Sequence, residues 1–154
     1  MIEYRLASVK DIEILVDLRI KFLIEAERIN TDEHSQELKE SLISFFQRNI
    51  PKGNYISWIA FEGEKVVATS GVSFHEVPPT FGNISGKEAY IMNMYSLPEY
   101  RRHGIGTKLL NKLIEKIEET GIKKIRLHFT HIGKSLYEKV GFQSKNDEMM
   151  MIIK

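Results

Sequence analysis

The chain contains no cysteine, which excludes disulfides, thiolate metal sites and a cysteine nucleophile. The chain also has no large excess of positive or negative charge, since its formal net charge is +1. This balance argues against a dedicated nucleic-acid binder. No run of about 18 apolar residues occurs, so no membrane-spanning helix is predicted. The first residues lack the basic-then-apolar pattern of a signal peptide. We therefore expect a cytoplasmic protein with one domain over residues 1–154.

The most informative stretch that is present is a glycine-containing segment, residues 101–107, between a strand-like run and an amphipathic helix. The run before it, 89–97, is rich in strand-favouring residues and ends at Pro98. Gly104 and Gly106 let backbone N–H groups approach a ligand closely, and a helix N-terminus adds free donors and a positive dipole end. The segment is therefore predicted to bind a phosphate. The apolar residues that mark the helix recur at helical spacing: Ile105, Leu109, Leu110, Leu113, Ile114 and Ile117.

Two common nucleotide motifs do not match this segment. A P-loop needs Lys followed by Ser or Thr after its last glycine, whereas Thr107 and Lys108 stand in the reverse order. A dinucleotide-binding fingerprint needs a third glycine, and Leu109 occupies its place. The pattern that fits is Arg-x-x-Gly-x-Gly, which begins at Arg101.

This pattern resembles the pyrophosphate-binding signature of the GNAT superfamily of acetyl-CoA-dependent N-acetyltransferases. Two further features strengthen the resemblance: Pro-Glu-Tyr at 98–100 before the loop, and Ser-Leu-Tyr-Glu-Lys-Val-Gly-Phe at 135–142, which is similar to the family's second CoA-side motif. The resemblance is close over residues 55–154 and loose over the N-terminal helices. It implies that acetyl-CoA is the co-substrate and that an amine is the acceptor.

The hydrophobic periodicity predicts a mixed α/β sandwich. Ser8 and Asp11 form a predicted capping box before a first helix. A polar break at Asn30, Thr31 and Asp32 separates this helix from a second one, which ends at 51–54. The later helices are predicted from 105 to a cap at Gly121 and over 133–139. The predicted strands are 2–6, 55–61, 65–74, 89–97, 123–130 and 148–153. The resemblance implies a GNAT-like fold, with a mostly antiparallel mixed sheet of roughly six or seven strands and about four helices. In this fold acetyl-CoA lies between two splayed parallel strands.

The resemblance also implies roles for individual residues on the cofactor side. A bulge around Met94 exposes an N–H that stabilises the oxyanion, so Tyr95 is predicted to be catalytic through its backbone. Tyr137 is predicted to protonate the departing thiolate, because a phenol with a pKa near 10 stays protonated at neutral pH. The alternative for Tyr137 is core packing against Phe142. The implied cofactor-binding residues are Met94, Tyr95, Ser96, Arg101, Arg102, His103, Gly104, Ile105, Gly106, Thr107, Lys108, Thr130, Lys134 and Tyr137.

The acceptor side is less defined by the sequence. Several family members place a glutamate where this chain has Tyr90, so no general base is assigned. The candidates for the base are Glu88, His75, Glu76, His128 and His131. The predicted acceptor-binding residues are His75, Glu76, Tyr90 and His128. The identity of the amine is open.

The sequence thus predicts acetyl transfer from acetyl-CoA to a primary amine of a small molecule or peptide, by direct attack in a ternary complex. The main alternative is a non-catalytic acyl-CoA-binding sensor with the same fold, and a third is a purely structural domain. No His, Asp or Glu cluster has metal-ligand spacing, so no metal is expected. Neither nucleic acid nor a membrane is expected as a partner, and a homodimer is left open.

Overall fold

A computed structural model describes residues 1–27, 35–145 and 147–154. The predicted polar break at 30–32 lies outside these described residues. Ser8 and Asp11 do form a capping box, which opens a short 3-10 turn before the first helix. The elements are β1 (Ile2–Leu6), α1 (Ile12–Glu27), α2 (Ser35–Asn49), β2 (Tyr55–Ile56), β3 (Trp58–Glu62), β4 (Lys65–Glu76), β5 (Lys87–Ser96), α3 (Ile105–Glu119), β6 (Lys124–Leu127) and α4 (Lys134–Val140).

The six strands form one mixed sheet. Its order is β1-β3-β4-β5-β6, and β2 also pairs with β4. Every pairing is antiparallel except that of β5 with β6, which is parallel. A two-residue turn joins β3 to β4, and Gly63 adopts the positive φ of 60° in this turn. Strands β3 and β4 thus form an antiparallel hairpin, and the mostly antiparallel mixed sheet that the resemblance implied is confirmed.

Helices cover both faces of this sheet. On one face α1 and α2 pack Leu15, Val16 and Phe46 against Tyr55 and Ile59. On the other face the apolar side of α3 packs on β4 and β5. Neighbouring residues of β3 show the alternation, because Ile59 belongs to the α1/α2 core and Ala60 to a core that includes α3 residues. Of the six α3 residues that the helical spacing identified, Ile114 is half-buried and the other five are buried: Ile105, Leu109, Leu110, Leu113 and Ile117.

The parallel strands separate where the cofactor cleft is expected. The β5–β6 register runs from Glu88↔Lys124 to Ile91↔Leu127 and ends there. Strand β5 continues to Ser96, whereas the chain leaves the sheet after Leu127. Among the described residues, no strand therefore neighbours the edge of β5 from 92 to 96 on its β6 side. This end of the parallel pairing is where the resemblance implies that the two strands splay apart.

Two strand predictions near the C-terminus need correction. Strand β6 covers only Lys124–Leu127, not 123–130, and the predicted strand over 148–153 is wrong, because described residues 147–154 form no ladder. The residues of this segment do not form a strand despite their composition, because a strand needs the edge of another strand to pair with. Glu148 instead anchors the segment through its side chain, to His128 Nε2 at 3.1 Å and Arg126 Nη2 at 3.9 Å.

Candidate active site

The glycine loop presents free backbone donors to open space. Arg102 and Gly104 both have positive φ, 66° and 78°, and α3 begins directly afterwards at Ile105. The first intrahelical bond runs from Lys108 N to Gly104 O at 3.1 Å, so the N–H groups of the first turn have no helical acceptor. A Cβ on Gly104 would meet no atom within 4 Å. The loop therefore forms an open cradle at a positive helix end.

The side chains of the loop divide into two groups. Arg101 is held by protein partners: its guanidinium contacts Glu25 at 2.8 Å and donates to Ser96 O at 2.9 Å. This pair lowers the pKa of Glu25 and ties the loop to α1. Arg102 and His103 are exposed instead, beside the free N–H groups. Thr107 is also exposed, and Lys108 places its Nζ over the ring of Tyr4, 4.8 Å from the centroid. The phosphate-binding roles of these residues stay predictions.

Strand β5 contains the bulge that the resemblance implied. The β4–β5 register shifts between Thr69↔Tyr95 and Gly71↔Met92, where β5 contributes one residue more than β4. Asn93 lies in this bulge with a φ of 58°, a conformation that asparagine tolerates better than most residues. Because β6 ends opposite Ile91, none of the strands in the described part of the chain lies beside the bulge backbone on the cleft side.

Tyr95, which follows the bulge, points its side chain to the α1 side of the sheet. Its ring packs edge-on against Phe22, with centroids 6.3 Å apart, and the guanidinium of Arg101 lies 5.4 Å from the ring centroid. Burial raises the pKa of this phenol. The side chain thus has a packing role, and the predicted catalytic role would fall on the backbone of Met94–Ser96. That role stays a prediction.

Tyr137 is a buried phenol with a free hydroxyl. Its side chain is 8% exposed, belongs to the core cluster against which Met94 packs, and meets Phe142 edge-on with centroids 6.0 Å apart. Burial raises its pKa to about 12, so it stays protonated at neutral pH. No hydrogen bond to its hydroxyl is formed within the described ranges. The hydroxyl oxygen itself is not fully buried, because Trp58 Nε1 is the fully buried side-chain polar atom without a partner in the described residues. A ligand atom can therefore reach the hydroxyl.

The segment between β6 and α4 places two further predicted residues. Thr130 closes the turn before α4, since its hydroxyl and carbonyl both accept from Gly133 N, at 3.3 and 3.0 Å, and Gly133 is the N-cap of the helix. Lys134 lies in the first turn of α4 with its Nζ 5.4 Å from the centroid of the Phe129 ring. Leu136, also on α4, would be 3.5 Å from a Cβ on Gly106. Helix α4 therefore borders the glycine loop.

The predicted acceptor face carries a buried carboxylate surrounded by cations. Glu88 is 2% exposed and contacts Lys124 Nζ at 2.9 Å, His75 Nε2 at 3.2 Å and Arg126 Nη1 at 3.4 Å. Hydrogen bonds from Lys124, then from Arg126, lower its pKa against the opposing effect of burial. A carboxylate with a lowered pKa is a weak proton acceptor. Glu88 is therefore better suited to an ion-pair role than to general-base catalysis.

The structure brings Tyr90 and His128 into contact, and their acceptor-binding role stays a prediction. The Tyr90 hydroxyl is hydrogen-bonded to His128 Nδ1, and His128 Nε2 bonds Glu148 at 3.1 Å. Glu76, by contrast, is exposed and lies opposite Lys87 in the β4–β5 register. His131 is exposed in the turn before α4. In the described ranges no group of three or more His, Asp or Glu is placed to hold a metal ion.

Glu88→Gln is expected to destabilise the protein in a pH-dependent way. Because the pKa of Glu88 in the folded protein lies below its ordinary value of 4.5, the ionised carboxylate contributes stability above that pH and loses it as the pH falls. At pH 7 the free energy of unfolding of the variant should be about 1 kcal/mol lower than that of the wild type. This value is small because the cations around Glu88 are half-exposed and their ion pairs are screened by solvent. This difference should narrow below about pH 4.5.

Urea unfolding of both proteins at pH 7 and in the acid range measures the effect. Glu76→Gln is the matched control, because it removes an exposed carboxylate from the end of the neighbouring strand. A difference of the same size at both pH values would contradict the ion-pair role of Glu88.

The comparisons with known proteins agree with this architecture. Residues 20–142 match the model of the Acetyltransferase (GNAT) family, and the chain therefore belongs to that family. The crystal structure of a predicted acetyltransferase with acetyl-CoA from Clostridium acetobutylicum superposes with a TM-score of 0.89 at 34% identity, over 99% of this chain and 96% of that one. A GCN5-related N-acetyltransferase from Ralstonia eutropha JMP134 gives a TM-score of 0.89 at 28% identity, over 99% of both chains.

The curated relatives match over shorter segments. The uncharacterized N-acetyltransferase YhfO of Bacillus subtilis is 32% identical over 76 residues, which is 47% of this chain and 51% of YhfO. A [Ribosomal protein bS18]-alanine N-acetyltransferase of Haemophilus influenzae is 39% identical over 57 residues, 36% of this chain and 39% of the relative. The chain thus spans about half the length of these relatives or less. No helix in the described residues is long and apolar enough to cross a membrane.

Sequence reasoning missed a group of residues on the α1 side of the bulge. Arg19 and Glu25 of α1 contact Asn93 and Arg101, respectively. Arg19 shares a helical face with Leu15 and Phe22, at spacings of four and three residues. A lone arginine on an otherwise apolar face was the signal that could have identified it.

Proposed function

We propose that this GNAT-family protein transfers an acetyl group from acetyl-CoA to a primary amine of a small molecule or peptide, by direct attack in a ternary complex. The observation that carries the proposal is the convergence of three elements around the cleft. The open cradle at Gly104, the β5 bulge and the partnerless hydroxyl of Tyr137 lie on adjoining elements, since α4 borders the loop and Met94 packs against the Tyr137 cluster.

Each part of acetyl-CoA has a matching feature. The pyrophosphate fits the free N–H groups of the first turn of α3, where Arg102 and His103 add exposed positive or polar groups. The pantetheine arm fits the unpaired edge of β5 beyond Ile91, where backbone groups can bond it as an extra strand would. The thioester then lies between the bulge and Tyr137.

The chemistry follows from these positions. A neutral amine attacks the thioester carbon, and the carbonyl oxygen gains negative charge that bulge N–H groups stabilise. The C–S bond then breaks, and Tyr137 gives its hydroxyl proton to the leaving sulfur. The attacking nitrogen loses one proton to form the amide. Tyr137 then regains a proton from solvent, so the net products are an acetylated amine and CoA with a free thiol.

We propose that the amine proton passes to a base in solution, either directly or through a water molecule. Glu88 is bound by cations, and Tyr90 has no carboxylate to offer. The chain of hydrogen bonds from Tyr90 through His128 to Glu148 supplies polar groups on the acceptor side that lead to the surface. His75 and Glu76 complete the proposed acceptor-binding residues.

A panel of amines tested with acetyl-CoA, with thiol release as the readout, examines the proposal. The expected result is release of CoA that requires one class of amine and saturates with its concentration. Binding of acetyl-CoA without amine-dependent release by any member of the panel would instead favour the sensor alternative.

No single carboxylate substitution is expected to abolish activity. Glu88→Gln and Glu76→Gln should retain most of the wild-type kcat at pH 7, and the rate should rise with pH as the bound amine loses its proton. Steady-state kinetics across the neutral to alkaline range measure both. A folded, CoA-binding variant without activity would identify its missing carboxylate as the base.

A further inference from the structure

A buried polar network lies directly behind the β5 bulge. Arg19 Nη1 donates to Asn93 Oδ1 at 2.8 Å, and Asn93 Nδ2 donates to the hydroxyl oxygen of Tyr55 at 2.6 Å. Tyr55 is 1% exposed and Asn93 is 5% exposed. The three residues come from α1, β5 and β2, so the network joins the bulge to two separate parts of the fold.

The backbone around the network is shaped to admit it. A Cβ on Gly71 would collide with the Tyr55 hydroxyl, so only glycine at this position of β4 leaves room for the phenol. Gly71 also stands at the register shift itself, opposite Met92. Strand β4, which pairs with the bulge, therefore leaves room at Gly71 for the Tyr55 side chain that bonds the bulge residue Asn93.

The bonds allow one orientation of the Asn93 amide. A guanidinium can only donate, so the group that faces Arg19 must be the amide oxygen, and the amide nitrogen must then face Tyr55. Arg19 also lies 5.7 Å from the ring centroid of Phe22, and no carboxylate of the described residues lies within 4 Å of it. Burial of these polar groups is costly compared with an apolar core, and a satisfied network of this kind fixes a single local conformation.

We propose that Arg19, Asn93 and Tyr55 are positioning residues, which hold the β5 bulge so that its backbone N–H groups meet the acetyl carbonyl oxygen. This inference rests on the proposed acetyl transfer. None of the three side chains needs to touch acetyl-CoA. They act through the backbone, because oxyanion donors stabilise the transition state only when their positions are set before the reaction.

Two variants remove the network without forcing the bulge to refold. Asn93→Gly introduces a residue that tolerates a φ of 58°, and it deletes the side-chain hydrogen bonds to Arg19 and Tyr55. Tyr55→Phe deletes only the hydroxyl and keeps the buried ring. Ser57→Ala is the matched control, because Ser57 is buried to a similar degree and loses one bond, to Thr69 Oγ1 at 3.3 Å, with no contact to Asn93.

The experiment records the infrared band of the carbonyl in bound acetyl-CoA that carries carbon-13 at this carbonyl, together with kcat. Wild type and Ser57→Ala should shift the band to lower frequency, whereas Asn93→Gly and Tyr55→Phe should lose most of this shift. Their kcat should fall about fivefold, a smaller effect than removal of an oxyanion donor. Their affinity for CoA, which has no acetyl carbonyl, should be unchanged.

The outcomes separate this inference from the proposed function. A protein that does not bind acetyl-CoA, or a wild-type band without a shift, would overturn the acetyl-binding bulge and the positioning network together. A shifted wild-type band that both variants retain, with unchanged kcat, would overturn the positioning role alone. Loss of the shift in Ser57→Ala as well would show general loosening of the sheet and would also contradict the inference.

Discussion

Replacement of Tyr137 by phenylalanine is expected to lower kcat about 100-fold and to leave the KM for acetyl-CoA nearly unchanged. The substitution keeps the ring, and with it the edge-on contact to Phe142, and removes only the hydroxyl. That hydroxyl is held protonated, since burial raises its pKa to about 12, and no described residue accepts its proton. Steady-state kinetics under conditions where chemistry limits the rate measure the effect.

Two controls make the Tyr137 prediction specific. The loss should shrink when the leaving thiol is made more acidic, because a better leaving group needs less protonation. Tyr100→Phe removes a hydroxyl that donates to Glu62 at 2.8 Å in an exposed bond, and it should keep the wild-type kcat. Wild-type turnover in Tyr137→Phe would return Tyr137 to a purely core role.

The cofactor half of the fold was predictable because its signals are local. Glycines at 104 and 106 and the apolar residues of α3 lie within one short stretch, and their spacing alone identifies a loop followed by a helix that buries one face. Of the six residues that the spacing assigned to the core, the structure buries five, and the sixth, Ile114, is half-buried against the same core.

The polar network could not be predicted in the same way. Arg19 and Asn93 are 74 residues apart, and Asn93 and Tyr55 are 38 apart. Their contact depends on the packing of α1 on the sheet and on the register of β4 with β5, and neither is visible in a local pattern. The bulge itself was implied by family resemblance, and nothing in the letters of 91–96 alone indicates an extra residue.

Strand pairing also explains the wrong strand prediction near the C-terminus and the several candidates for the general base on the acceptor side. Residues 148–153 were predicted as a final strand, but β6 offers an edge of only four residues and pairs with β5 alone among the described strands. Glu88 was one of several candidates for the base, because its own strand gives no information about the cations on β6. The parallel register places Lys124 opposite Glu88 and determines its ion-pair role.

The second large effect is expected at the glycine loop, where Gly104→Val should weaken CoA binding at least ~10-fold, which corresponds to about 1.4 kcal/mol. A Cβ at Gly104 enters space that no protein atom occupies within 4 Å, directly before the free N–H groups of α3. A branched side chain there would stand where the pyrophosphate binds and would block several backbone hydrogen bonds. Isothermal titration with CoA measures the affinity.

Because Gly104 has a positive φ of 78°, valine at this position also strains the backbone. The control variant must therefore place valine at another glycine with a similar φ, away from the loop. Gly121→Val meets this requirement, because Gly121 has the same φ of 78° and equally open space, but follows the C-terminal end of α3. It should lose stability and keep its affinity for CoA. Gly104→Asn adds a side chain that tolerates positive φ, and it should still lose affinity. Unchanged CoA binding by a folded Gly104→Val variant would exclude the loop as the phosphate cradle.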